Sequence, residues 1–146
     1  VYGTTRVTAE KLVLARANTL VVRAGLWIGP SANGKLGHLD WLRYRHGRGL
    51  PMTVVADESR SAVWAEAAAR RVWDLARSPI TGIRHVVATR IVARPELARY
   101  LDARFAIGAS IDVHTRRDRR VPHLGKVELR TMYDDELARP LPSVID

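Results

Sequence analysis

Two residues at the start of the sequence have the types and the spacing needed for proton transfer. Tyr2 and Arg6 are four residues apart, and on a helix this spacing places both side chains on one face within about one turn. A cation beside a phenol favours the phenolate, which makes a tyrosine usable as a general acid or base near neutral pH. Because Tyr-x-x-x-Arg is a common pattern, the alternative interpretation is a tyrosine that packs at the start of an amphipathic helix.

Clustered arginines suggest a second kind of chemistry, the binding of phosphate. The two clusters are Arg116, Arg117, Arg119 and Arg120, and Arg43, Arg45, His46 and Arg48. The planar guanidinium group donates pairs of hydrogen bonds that match phosphate oxygens. A solvated basic loop is the alternative interpretation of the first cluster.

The excess of positive charge is compatible with several classes of partner. Lys and Arg total 24 against 15 Asp and Glu, which gives a net charge of +9 and a positive field that attracts phosphates, nucleotides or acidic surfaces. An arginine-rich nucleic-acid-binding domain is therefore one alternative. We do not expect a nucleic-acid partner, because the sequence has neither a helix-turn-helix signature nor a stacking-sheet signature.

Several classes of site are excluded by composition and spacing. The chain has no cysteine, so a disulfide framework, a thiolate zinc site and a cysteine nucleophile are all excluded. The five histidines include no pair at metal-ligand spacing, and we expect no metal site. Asp57 and Glu58 are adjacent carboxylates in a predicted turn, where such side chains usually point apart. Trp41, Trp64 and Trp73 are interpreted as core or interface aromatics rather than as platforms for stacked bases.

The 146 residues correspond to one compact domain or to a part of a larger one. No apolar run approaches the ~18 to 20 residues that span a bilayer, and no signal-peptide pattern opens the chain, so we expect a cytoplasmic protein without a membrane partner.

Hydrophobic periodicity and turn residues predict alternating helices and strands, which indicates an α/β fold. The predicted helices are 4–16, 36–46, 61–76 and 95–105, and the predicted strands are 19–23, 52–56, 82–89, 111–115 and 127–130. We expect the glycine-rich residues 25–37 to shape a pocket, and residues 132–146 to lack regular structure.

The order of several motifs resembles the second half of an extended short-chain dehydrogenase/reductase, in particular the dTDP-4-dehydrorhamnose reductase-like branch. The motifs are Val1-Tyr2-Gly3-Thr4-Thr5-Arg6, Thr19-Leu20-Val21-Val22-Arg23, Asp57-Glu58-Ser59-Arg60-Ser61, Gly82-Ile83-Arg84-His85-Val86 and Arg94-Pro95-Glu96-Leu97-Ala98. The resemblance covers most of residues 1 to 131. It implies the last helix and strand of a Rossmann-type NAD(P)-binding fold in residues 1–30, a small mixed α/β substrate-binding subdomain in residues 31–131, and a tail in residues 132–146.

The resemblance also implies the chemistry. Tyr2 would transfer the proton, Arg6 would assist it and bind the nicotinamide ribose of NAD or NADP, and a hydride would pass between the nicotinamide and a sugar carbon. The substrate would be a nucleotide sugar, contacted by Trp27, Arg60, Arg119 and Arg120, and the protein could assemble as a homo-oligomer. A non-catalytic sugar-nucleotide-binding or regulatory module of the same fold is the alternative.

The sequence departs from the family pattern at several positions. Arg6 stands where the family has lysine, and Leu26 stands where tryptophan is usual, with Trp27 displaced by one residue. Ala62, Ala67 and Ala93 replace a usual proline, aspartate and serine. We therefore expect a degenerate active site. The family's glycine-rich phosphate loop and catalytic serine or threonine belong upstream of Tyr2, so we expect no reductase activity from this chain alone.

Overall fold

The computed structural model describes residues 2–35, 37–118 and 124–146, which form a mixed α/β fold. The helices are α1 (Tyr2–Leu14), α2 (His38–Gly47), α3 (Ala65–Ala76) and α4 (Arg94–Phe105), with 3-10 turns at Arg116–Asp118 and Glu136–Ala138. The strands are β1 (Leu20–Ala24), β2 (Leu26–Ile28), β3 (Met52–Val55), β4 (Ser59–Trp64), β5 (Gly82–Val86), β6 (Ile91–Ala93) and β7 (Ile111–His114).

These strands form three small sheets. β1 pairs with β5 and β3 pairs with β7, both in parallel. The third sheet has the order β2-β4-β6, in which β4 is parallel to β2 and antiparallel to β6. Parallel neighbours need a crossover between them, and helices lie within the segments that join the paired strands. The α/β class predicted from the sequence is therefore confirmed.

Gly25 allows the chain to step from the first sheet to the third. It separates β1 from β2, and its N–H donates to the carbonyl of Val86 at 3.0 Å. A Cβ atom at this position would lie 2.6 Å from the carbonyl oxygen of Ser61. Only glycine lets the two backbones approach so closely.

In the described part of the chain, most of the buried apolar residues belong to three clusters. One joins β2, β4, β6 and α4 to the C-terminal segment through Ile28, Ala62, Val92, Leu97, Leu101 and Val144. The second lies between α3 and the β1–β5 pair and includes Val63, Leu75 and Val86. The third packs α2 against β3 and α4 around Leu42, Met52, Val54 and Ala98.

The predicted boundaries need four corrections. Residues 61–64 belong to β4, and helix α3 begins only at Ala65, because Ser61, Ala62 and Val63 are buried between β2 and β6. Residues 26–28 and 91–93 are strands that the sequence patterns did not predict. Residues 127–130 form no strand, although Lys126 makes an isolated bridge with Ser59. Finally, α1 covers residues 2–14 rather than 4–16.

The C-terminal segment is irregular apart from one 3-10 turn, but it is packed into the molecule. The N–H of Leu141 donates to the carbonyl of Val87, and the N–H of Val144 donates to the carbonyl of Ala62. Val144 is fully buried. The segment therefore belongs to the core, even though most of it has no regular hydrogen-bonding pattern.

Candidate functional site

Helix α1 brings together the two residues proposed for proton transfer. The guanidinium carbon of Arg6 lies 4.9 Å from the centre of the Tyr2 ring, and the Tyr2 side chain is exposed (74%). This arrangement follows from their spacing on the helix. The catalytic roles of Tyr2 and Arg6, and the ribose contact of Arg6, stay predictions.

Of the four side chains predicted to contact substrate, two lie in the described part of the chain. Trp27 is in the middle of β2 opposite Val63, and its side chain is partly exposed. Arg60 is in β4 and is partly buried. Arg119 and Arg120 lie outside the described residues. Their neighbour Arg116 is bound to Asp57, which accepts hydrogen bonds from the Arg116 N–H at 2.9 Å and from its Nε at 2.7 Å.

The guanidinium of Arg60 binds the protein itself. Its Nη1 atom donates to the carbonyls of Ser59 and Gly125, and its Nη2 atom donates to the carbonyl of Leu124. Nη2 also lies 2.8 Å from Oε1 of Glu58. Arg60 thereby fixes residues 124 and 125 against β4, and its predicted substrate contact stays a prediction.

An apolar cavity of about 200 Å³ lies between α2, β3 and α4. Its walls combine apolar side chains with a few polar groups, which is typical of small-molecule sites. The apolar side of the lining includes Met52, Val54, Val55, Leu97 and Leu101, and the other lining residues include His38, Trp41, Glu58 and Arg94.

Glu58 is the centre of a charged cluster in this lining. Its side chain is 9% exposed, and its Oε1 atom lies 2.8 Å from Nη2 of Arg60 and accepts a hydrogen bond from Nε of Arg94 at 3.3 Å. The backbone N–H of Arg94 also donates to the Glu58 carbonyl at 2.9 Å. One buried carboxylate is thus shared by two guanidinium groups, which leaves an excess of positive charge.

His38 completes the cluster. The Nη1 atom of Arg94 lies 2.9 Å from Nε2 of His38. Because arginine can only donate, Nε2 must accept, and the imidazole must be neutral. Burial lowers the pKa of His38 below its usual value, and the charge of Arg94 lowers it further.

The loop before α2 positions His38. The Asp40 carboxylate accepts hydrogen bonds from the Ser31 N–H and hydroxyl at 2.9 and 2.6 Å, and from the Gly37 N–H at 3.0 Å. These bonds lower the pKa of Asp40, with the largest contribution from the Ser31 hydroxyl. Asp40 is in the first turn of α2, so its carboxylate accepts the Gly37 N–H at the start of the helix and holds the preceding loop against α2.

A second cavity of about 240 Å³ adjoins the cluster from the side of β2. Arg94 lines both cavities, together with Arg60, Gly25 and Leu26 in the second. Sequence patterns did not predict that His38, Glu58 and Arg94 form one cluster, because these residues come from three separate elements. Glu58 and Arg94 each lie in one of the motifs quoted above, and Arg94 also precedes Pro95, which marks the start of a helix.

Residues 2–35, 37–118 and 124–146 contain neither a candidate metal-binding cluster nor a candidate membrane-spanning helix. No group of three or more acidic or histidine residues in these ranges could hold a metal ion. In the same ranges, no helix has the length and apolar character needed to cross a bilayer.

The fold is shared with known sugar-nucleotide enzymes. A dTDP-4-dehydrorhamnose reductase from Clostridium acetobutylicum superimposes with a TM-score of 0.69 at 18% identity, over 86% of this chain and 43% of the other. A dTDP-4-dehydrorhamnose reductase from Bacillus anthracis, solved in complex with NADP, gives 0.66 at 18% identity, over 78% and 40%. The UDP-glucuronic acid 4-epimerase from Bacillus cereus, solved with UDP-glucuronic acid and NAD, gives 0.63 at 14% identity, over 78% and 39%. This chain has their fold.

At the level of the fold, the comparison confirms the resemblance to dTDP-4-dehydrorhamnose reductases and related enzymes, over part of their length. The neighbours are Rossmann-type NAD(P)-binding proteins, and this chain spans about two fifths of their length. No protein-family model matches the chain, and no curated protein matches its sequence.

Proposed function

We propose that this chain is the C-terminal portion of an NAD(P)-dependent reductase or epimerase that acts on a nucleotide sugar. The observation that carries the proposal is the cavity between α2, β3 and α4, whose lining combines apolar side chains with Arg94. Apolar walls suit a nucleoside, and a guanidinium suits its phosphates. The shared fold supports the same substrate class.

The division into parts follows from this proposal. Residues 1–30 belong to the nucleotide-binding part, residues 31–131 form the substrate-binding subdomain, and residues 132–146, expected to be a tail, pack into the core. Strand β5 lies within the second range but pairs with β1 of the first. The chain therefore returns to the nucleotide-binding part before it completes the substrate-binding subdomain.

Tyr2 and Arg6 supply the proton chemistry in this proposal. The exposed phenol of Tyr2 donates a proton to a substrate oxygen, or accepts one from a hydroxyl, and the guanidinium of Arg6 lies beside its ring. NAD or NADP, when bound, supplies or accepts the hydride. The Arg6 guanidinium, which lies close to the phenol, would offer several donors to the ribose hydroxyls of that cofactor.

Replacement of Tyr2 by phenylalanine tests the catalytic part of the proposal. In the enzyme that contains this chain, we expect Tyr2→Phe to lower kcat by roughly 10²- to 10⁴-fold, because a positioned acid or base contributes about that much. The measurement is NADPH oxidation with a 4-keto nucleotide sugar. Tyr44→Phe is the matched control, since Tyr44 is an exposed tyrosine on another helix. An unchanged rate in Tyr2→Phe would show that the phenol is structural.

One observation favours a non-catalytic binding module as the second candidate. Arg6 stands where the family has lysine, and a planar guanidinium does not replace a compact ammonium in a tight contact. If the module only binds, a nucleotide sugar will bind to the enzyme that contains this chain while NADPH is not consumed. Arg6→Lys separates the two candidates, because we expect it to raise turnover only in an active enzyme.

A further inference from the structure

We propose that Arg94 binds the phosphate of the nucleotide and that Glu58 and His38 position its guanidinium. This inference rests on the proposed function for the identity of the ligand. It adds a binding residue that neither the motif order nor the resemblance assigns.

The first argument is the location of Arg94. It is the first residue of α4, and its side chain is partly buried, with 25% of its surface exposed. It lines both the cavity between α2, β3 and α4 and the cavity beside β2. A ligand with its nucleoside in the first cavity and its sugar in the second would place its phosphates beside this guanidinium.

The second argument compares the hydrogen bonds of the two arginines that share Glu58. Arg94 uses Nε for Glu58 and Nη1 for His38, and among the described residues its Nη2 atom makes no hydrogen bond. Arg60 directs both Nη atoms to protein oxygens. Arg94 therefore retains donors for a ligand, whereas the Nη donors of Arg60 are directed at the protein.

The third argument concerns pre-organisation. Glu58 and His38 hold the Arg94 guanidinium from two sides, so little side-chain freedom is lost when a phosphate binds. The neutral His38 orients the guanidinium without cancelling its charge, and Glu58 is shared with Arg60. The cluster thus presents a fixed donor with a net positive charge.

Titration calorimetry with UDP-glucose, uridine and pyrophosphate tests the inference on the 146-residue chain. We expect Arg94→Gln to weaken UDP-glucose binding by roughly 10- to 100-fold, the range for hydrogen bonds to a charged group, and to leave uridine binding unchanged. Arg99→Gln is the matched control, because Arg99 is exposed on the same helix. His38→Gln, which retains an acceptor, should keep most of the affinity, whereas His38→Leu should lose it.

The outcomes separate the inference from the proposed function. If Arg94→Gln binds UDP-glucose as well as the unmodified chain, or if only Arg60→Gln loses affinity, the role of Arg94 is wrong and the proposed function stands. If the unmodified chain binds neither UDP-glucose nor pyrophosphate, both are wrong. Should Arg94→Gln fail to fold by circular dichroism, Arg94→Lys decides, since we expect it to lower the ratio of UDP-glucose to uridine affinity.

Discussion

Individual residues differ in how far the sequence could reveal their roles. Tyr2 and Arg6 meet because both lie on one helix, and a local spacing was enough to predict their contact. His38, Glu58 and Arg94 come from α2, the turn before β4 and α4, so only the tertiary fold brings them together. The sequence placed Glu58 in a turn, but its side chain is buried beside two arginines. No local pattern contains that information.

The state of His38 gives a prediction for stability against pH. Its pKa is lowered in the folded protein, so below the ordinary histidine pKa of about 6.5 the unfolded chain binds more protons than the folded one. Stability is therefore complete above about pH 6.5 and falls as the pH drops towards the folded pKa. We expect urea denaturation to show this decline between pH 7.5 and 5.5, and His38→Gln to reduce it.

A second histidine, His85, provides a further test in that experiment. The pKa of His85 is also lowered, by burial and by the charge of Arg23, while Glu10 acts in the opposite direction. His85→Gln should therefore remove a further part of the decline. An unchanged slope in His38→Gln would show that the Arg94 contact does not require a neutral imidazole.

Secondary-structure elements were predicted well where their periodicity is local. The helices α2 and α4 and the strands β1, β3, β5 and β7 all lie at or near the expected positions. Residues 61–64 were assigned to the same helix as the apolar positions from Ala65 to Ala76. In the structure they lie between β2 and β6, and this non-local pairing determines their conformation.

The step at Gly25 between β1 and β2 gives an element-scale prediction. We expect Gly25→Ala to lower the free energy of unfolding by about 1 to 3 kcal/mol, because the new methyl group would overlap the Ser61 carbonyl. Urea denaturation measures the change. Gly3→Ala is the control, since Gly3 is in α1 with open space around its Cβ position, and it should stabilise the protein by up to about 1 kcal/mol. Equal effects at both positions would contradict the steric explanation.

At the scale of the whole molecule, the C-terminal segment closes the core. Val144 is fully buried in the cluster of Ile28, Val92 and Leu101, although it belongs to a segment with little regular structure. Pro140 and Pro142 predicted the irregular backbone of this segment. The sequence could not show with which core cluster its apolar side chains pack. The position of this segment depends on β4, because the backbone carbonyl of Ala62 in β4 accepts a hydrogen bond from the Val144 N–H.

Val144→Ala measures how much this closure contributes. We expect a loss of about 2 kcal/mol in the free energy of unfolding, since each buried methyl group is worth ~0.8 kcal/mol and the remaining void adds to the cost. Met132→Ala is the control, because Met132 is 90% exposed, and its effect should stay within about 0.5 kcal/mol. Similar losses from both variants would mean that the segment detaches readily from the core.

The pairing of β1 with β5 has a consequence for the order in which the chain acquires its structure during synthesis. Leu20 pairs with Gly82 and Met52 pairs with Ile111, so each parallel pair joins segments that leave the ribosome far apart in time. Until β5 emerges, β1 lacks this parallel neighbour, and the backbone groups on that edge of β1 are accessible to other nascent chains. Parallel pairs of this kind also fold slowly, because a long loop must close before any strand contact forms. A chaperone that covers residues 20–24 during this interval would raise the yield of folded protein.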